Sequence, residues 1–216
     1  MSLSSLPDLH TLSVSTGMVA LAEIGDKTQL LALLLAARFQ RALPIILGIL
    51  IATLLNHGLA GALGHWIGGA LDPQLLHLIL AFVFLVMAVW ILVPDTCEED
   101  VDTRSALGVF AATTVSFFLA EMGDKTQIAT IALAAHQSDL VMVVIGTTLG
   151  MMIANVPVVF LGDRIAHRLP VRATRMVASL LFLGLSSTAF YTAEIDLNTL
   201  WEKTRSSVLS YWTPNP

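Results

Sequence analysis

Two nine-residue stretches, LAEIGDKTQ at 21–29 and LAEMGDKTQ at 119–127, agree at eight positions, and each lies inside a long apolar run. A run of about 20 apolar residues matches a bilayer core about 30 Å thick. An ionised side chain at its centre costs roughly 2.5–3.5 kcal/mol even on the lenient insertion scale. Glu23, Asp26, Lys27, Glu121, Asp124 and Lys125 must therefore face one another, a cavity or an ion. Any fold open to this chain has to gather them away from lipid.

Six runs have spanning length, at roughly 12–37, 43–63, 75–93, 107–135, 140–161 and 174–193. Only 12% of the 216 residues are charged, against about 25% in soluble domains. The continuous runs exclude a barrel, whose strands alternate over about ten residues. The expected fold is an all-α integral membrane protein. Its net charge of −5 and lack of a basic surface argue against nucleic acid. The single cysteine, Cys97, excludes an internal disulfide and a cysteine metal site. The first 37 residues hold one basic residue, Lys27, inside the apolar run. No signal peptide is expected, because one would begin with positive charge.

A shift of 98 residues returns more than the motif. Thr16 falls on Thr114, Ala36 and Ala37 on Ala134 and Ala135, Gly48 on Gly146, Gly64 on Gly162, and Phe84 on Phe182, without a gap. The chain reads as a first three-helix repeat at 1–93, an acidic linker at 94–106, a second repeat at 107–193 and a tail at 194–216. Three spans per unit is an odd number, so the second unit enters the membrane inverted. Arg38, Arg41, Arg104, Arg164, Arg168, Arg172 and Arg175 fall on one side, and only Lys203 and Arg205 on the other. The excess marks the first side as cytoplasmic, with both termini outside. In the tail, Leu197, Leu200, Trp201, Thr204, Val208 and Trp212 share a helical face, which suits an interfacial helix; a frayed terminus is the alternative.

Glu23 lies three residues before Asp26 and four before Lys27, which puts the three on one helical face. Gly25 permits local unwinding and frees backbone carbonyls. Thr28 and Gln29, with Thr126 and Gln127, add neutral oxygens. If the two motifs meet, four carboxylates and two ammonium groups leave a net charge of −2, which one divalent cation or two protons would neutralise. Oxygen ligands select hard cations such as Mn²⁺, Ca²⁺ and Mg²⁺. The metal ligands are therefore Glu23, Asp26, Glu121 and Asp124. Lys27 and Lys125 either compete with the ion or balance the empty site. His57, which falls on Asn155 under the shift, either relays protons and completes the coordination sphere or caps a helix contact. Gly48, Gly64, Gly146 and Gly162 are expected at close helix contacts, and Pro157 at a kink. Hydroxyls such as Thr113 and Thr114 are expected on their own helix backbone.

The doubled Glu-x-Gly-Asp-Lys-Thr, six spans and an acidic central loop resemble the Gdt family of cation transporters, which includes Golgi calcium/manganese transporters and bacterial manganese exporters. The resemblance covers roughly residues 10–193. It implies proton-coupled movement of Ca²⁺ or Mn²⁺ at Glu23, Asp26, Glu121 and Asp124, with no cofactor beyond the cargo and membrane lipid as the surroundings. The short N-terminus points to a bacterial inner membrane and manganese export. Three other readings are an intramembrane aspartyl protease, an exporter of another small cation or an amino acid, and a passive channel. A protease needs two aspartates sharing a proton, whereas each Asp here is followed by Lys.

Overall fold

The computed structural model describes residues 9–93, 108–137, 139–161 and 171–212. All regular secondary structure among them is helical. The order is α1 (Leu9–Glu23), α2 (Lys27–Phe39), α3 (Ala42–Ala70), α4 (Pro73–Trp90), α5 (Val109–Glu121), α6 (Lys125–His136), α7 (Leu140–Leu161) and α8 (Val171–Trp212). The acidic linker, including Cys97 and Arg104, lies outside the described residues, as do Gly162, Arg164 and Arg168.

Four helices among the described residues are long and apolar enough to cross a membrane, over Ala42–Ala70, Pro73–Trp90, Leu140–Phe160 and Arg172–Ala193. The other two sequence-predicted runs, 12–37 and 107–135, are each divided at the motif, into α1 with α2 and α5 with α6. The tail, expected as an interfacial helix or a frayed terminus, is helical up to Trp212. Residues 194–212 continue α8 without interruption. Large apolar side chains such as Leu55, Leu59, Phe82, Phe160 and Phe190 point outward, while Glu23, Glu121, His57 and Asn155 are fully buried. So much contiguous apolar exterior fits a lipid surround.

The 98-residue shift reappears in the packing, with partners exchanged between halves. A Cβ at Gly48 would meet Thr113 and the Phe110 carbonyl at 2.7–2.9 Å; one at Gly146 would meet Ser15 and the Leu12 carbonyl at 2.8 Å. These contacts correspond residue for residue under the shift. Each long second helix therefore lies against the broken first helix of the other half, α3 on α5 and α7 on α1. Gly64 packs on Ile131 and Ala134, carrying the α3 contact along α6. Helices α4 and α8 cross antiparallel: Ser179 Oγ donates to Ala88 O at 2.8 Å and Ser186 Oγ to Ala81 O at 2.7 Å. Between those bonds Phe84 and Phe182, equivalent under the shift, meet with ring centroids 6.3 Å apart. Contact between equivalent residues is the pattern that a twofold relation between the halves would produce.

The expected backbone bonds of Thr113 and Thr114 are present, to Val109 O at 2.8 Å and Phe110 O at 2.9 Å. Pro157 lies inside α7.

Close helix approach makes a prediction. Gly146→Val forces side-chain atoms into the backbone of α1, and overpacking of this kind costs about 1–3 kcal/mol. The thermal unfolding midpoint in detergent should fall clearly. Gly17→Ala, where an added Cβ meets nothing within 4 Å, should leave it within a degree or two. An unchanged midpoint for Gly146→Val would contradict the tight α1–α7 contact.

Candidate cation site

Each motif breaks its helix with the same turn. Asp26 N donates to Glu23 O at 3.0 Å, and Asp124 N to Glu121 O at 3.2 Å. Gly25 has φ +80° and Gly123 φ +74°, and Met122 before the latter has φ −64° and ψ 119°. These are the dihedrals of a type II turn, whose third position needs a positive φ and so favours glycine. The next helix then starts with Asp26 or Asp124 in extended conformation at its N-cap. Gln29 Oε1 accepts from Gly25 N at 2.9 Å, and Gln127 Oε1 from Gly123 N at 2.7 Å. The glutamines thus close the turns. The Gln29 amide also donates to Ala154 O at 3.0 Å, tying the first turn to α7.

The two turns meet. One carboxylate oxygen each of Glu23, Glu121 and Asp124 lie within 4.8 Å of one another. Opposite oxygens around a Ca²⁺-sized ion are about 4.6–5.2 Å apart, and around Mg²⁺ about 4.0–4.2 Å, so the cluster can close on a hard cation. Thr28 Oγ1 donates to Glu23 Oε2 at 2.5 Å and Thr126 Oγ1 to Glu121 Oε2 at 2.8 Å. The other oxygen of each glutamate, and Asp124 Oδ2, are buried without a hydrogen-bond partner. An orphaned carboxylate oxygen in a dry interior is costly, and a cation would satisfy all three. Each threonine thus fixes one glutamate oxygen and leaves the other without a partner.

The lysines cross between halves. Lys27 Nζ lies 3.4 Å from Asp124 Oδ1, and Lys125 Nζ lies 4.0 Å from Asp26 Oδ1. Asp26 stands outside the three-carboxylate group, beside Lys125. The two lysines differ in surroundings: the Lys27 side chain is 25% exposed and that of Lys125 4%. Lys125 also donates to Val93 O at 3.1 Å and sits 5.9 Å from the Trp90 ring centre, joining the site to the end of α4.

His57 is fully buried on α3, and neither ring nitrogen has a hydrogen-bond partner. Its neighbour Asn56 donates to Phe118 O at 2.9 Å, three residues before Glu121. On α7, Asn155 donates to Met151 O of its own helix at 3.1 Å while its Oδ1 stays unpartnered. One group was missed by sequence reasoning. Arg175, at the start of α8, donates from Nη2 to Gly25 O at 2.9 Å. That contact joins residues 150 positions apart, and no spacing or periodicity points to it.

A family model described as "Divalent cation/proton antiporter GDT1" matches residues 11–99 and 109–196. A Vibrio cholerae protein named "Putative manganese exporter" is 50% identical over 187 residues, covering 85% of this chain and 92% of its own. "GDT1-like protein 3" of Arabidopsis thaliana is 28% identical over 203 residues, covering 82% and 69%. A Synechocystis protein, "GDT1-like protein sll0615", is 28% identical over 198 residues, covering 81% and 94%. No solved structure matches.

The threonine contacts give a test. Thr28→Val and Thr126→Val each free a glutamate to rotate, and should weaken Mn²⁺ binding about tenfold or more, read by calorimetric titration in detergent. Thr130→Val, which removes only a bond to the α6 backbone, should bind like wild type. Wild-type affinity in both motif variants would detach the threonines from the site.

Proposed function

Because the chain belongs to the GDT1 family of divalent cation/proton antiporters, we propose that it exports Mn²⁺ from the cytoplasm in exchange for protons, with Ca²⁺ the second candidate cargo. The observation that carries this reading is the convergence of Glu23, Glu121 and Asp124, with carboxylate oxygens within 4.8 Å of one another. Asp26 completes the site, and the threonines, glutamines, His57 and Asn155 support it. The 50% identity to the Vibrio cholerae protein favours manganese. Ca²⁺ remains because the same hard oxygens suit it.

In this reading α1 with α2 forms the first span and α5 with α6 the fourth. The chain then makes six crossings as two inverted repeats, divided at 1–93, 94–106 and 107–193. The crossed ion pairs and exchanged glycine contacts support this, as does the antiparallel α4–α8 pair. The protein sits in a bacterial inner membrane with both termini outside.

Protons and the cation compete for the same carboxylates. A cation entering from the cytoplasm displaces them, and protons from outside displace it in turn. Moving two positive charges out against an inside-negative potential costs about 4.6 kcal/mol per 100 mV. Two protons moving inward cancel that charge, which leaves the pH gradient as the drive. Alternating access would rock one inverted half against the other about the midplane. The crossed ion pairs also weaken the protease reading, since each aspartate faces a lysine rather than its fellow.

The decisive assay is proton flux in proteoliposomes, with Mn²⁺, Ca²⁺ and Mg²⁺ compared side by side. Mn²⁺ should drive protons the opposite way, and Glu23→Gln or Asp124→Asn should reduce that flux to the liposome background. Metal movement without proton movement would make the protein a passive channel. Full activity in both variants would remove the motif from the mechanism.

A further inference from the structure

The two motifs are equivalent in sequence, yet their turns are held differently. Under the shift, Arg175 corresponds to His77. Arg175 reaches the Gly25 carbonyl at 2.9 Å, whereas His77 packs edge-on to His136 at 6.1 Å between centroids. Likewise Lys125 is engaged by Val93 and Trp90, while the residues equivalent to Trp90 and Val93 are Thr188 and Tyr191. Tyr191 is 66% exposed. Both extra contacts come from one end of the α4–α8 pair, where α4 finishes and α8 begins. Ser179 to Ala88 fastens the same end.

Gly25 O is a carbonyl released by the type II turn, the kind of group that ligates cations at broken membrane helices. An arginine bonded to it holds a permanent positive charge beside Asp26. The charge arithmetic then changes. Four carboxylates against two lysines and one guanidinium leave −1, too little to balance a dication. Withdrawing Arg175 restores −2 and frees the carbonyl together.

We propose that Arg175 is a tethered competitor for the cation: its guanidinium occupies Gly25 O and closes the site on the face where α8 begins, and cation entry from that face requires its release. Arginine suits this role because its guanidinium is always charged and forms directed hydrogen bonds. Arg175 is a positioning residue of the transport cycle. The inference rests on the motif acids being the cation site.

The test uses purified full-length protein in proteoliposomes, comparing wild type with Arg175→Gln, Arg175→Lys and Glu23→Gln. Mn²⁺ is supplied at the face carrying Arg175, and proton leak is measured with no metal present. Arg175→Gln should lower the half-saturating Mn²⁺ concentration about tenfold, the scale of one lost charge-assisted hydrogen bond. It should also let protons leak in the absence of metal. Arg175→Lys should fall between, and carries the test if the Gln variant does not purify as a monodisperse protein. Unchanged half-saturation and no leak in the Arg175 variants, with Glu23→Gln inactive, would overturn the competitor role and leave the site standing. A rise in half-saturation would also overturn it, since Arg175 would then be supporting the site. An active Glu23→Gln would instead remove the site itself.

Discussion

Charge kept out of lipid governs this architecture. Each motif brings two carboxylates and one ammonium to the middle of an apolar run, and neither set balances by itself. The crossed pairs, Lys27 with Asp124 and Lys125 with Asp26, let each half neutralise part of the other. In a low-dielectric interior a charge without its partner costs several kcal/mol, so the halves are bound to meet at this point. The rest of the packing serves that meeting. Gly48 and Gly146 let α3 and α7 approach the opposite broken helices, and the α4–α8 crossing closes the bundle at the phenylalanine pair.

The helix breaks supply what side chains alone do not. A type II turn at Gly25 and at Gly123 ends one helix and begins another inside the apolar run. The carbonyl end of α1 or α5 then faces the amide end of α2 or α6. Helix C-termini attract cations and N-termini attract anions, so an acid at the end of one helix and another at the start of the next sit in opposed local fields. Glu23 and Glu121 close the incoming helices; Asp26 and Asp124 open the outgoing ones. The spacing Glu-x-Gly-Asp is thus the spacing of a four-residue turn. The invariance of glycine between the two copies follows from a positive φ, without appeal to ligation.

Much of this was legible in the sequence. The repeat could be read because a 98-residue shift aligns polar letters in an apolar chain, where each such letter is expensive and so informative. The convergence of Glu23, Glu121 and Asp124 followed from the same cost. The placement of Asp26 beside Lys125, outside the three-carboxylate group, did not follow, because spacing along one helix fixes a face and not the partner across from it. The continuity of the tail with the last span did not follow either, for a related reason. Residues 194–212 are more polar than the span before them, but a change of hydropathy moves a helix out of lipid without ending it. No glycine or proline interrupts 185–212, so α8 runs on. Arg175 was visible only as part of an arginine excess on one side. The count that orients a membrane protein treats arginines as interchangeable, and so hides the one that reaches into the site.

Duplicated halves need not be used identically in any one conformer. An inverted repeat with perfect internal symmetry would present its site equally to both faces, which is either a sealed state or an open leak. Directional exchange requires the symmetry to be broken, and broken reversibly. Here the breaking is carried by a few contacts around a nearly symmetric core: Arg175 on Gly25 and Lys125 on Val93 hold one end, while their counterparts under the shift, His77 and Lys27, are placed otherwise. The turns, the threonine clamps and the glutamine closures are preserved in both halves. The turns and the side chains that clamp them are therefore duplicated, and the contacts around them are not. On the proposed reading, a cation leaving the site would meet the same ligands it met on entry, and only the Arg175 contact with the Gly25 carbonyl would have to change.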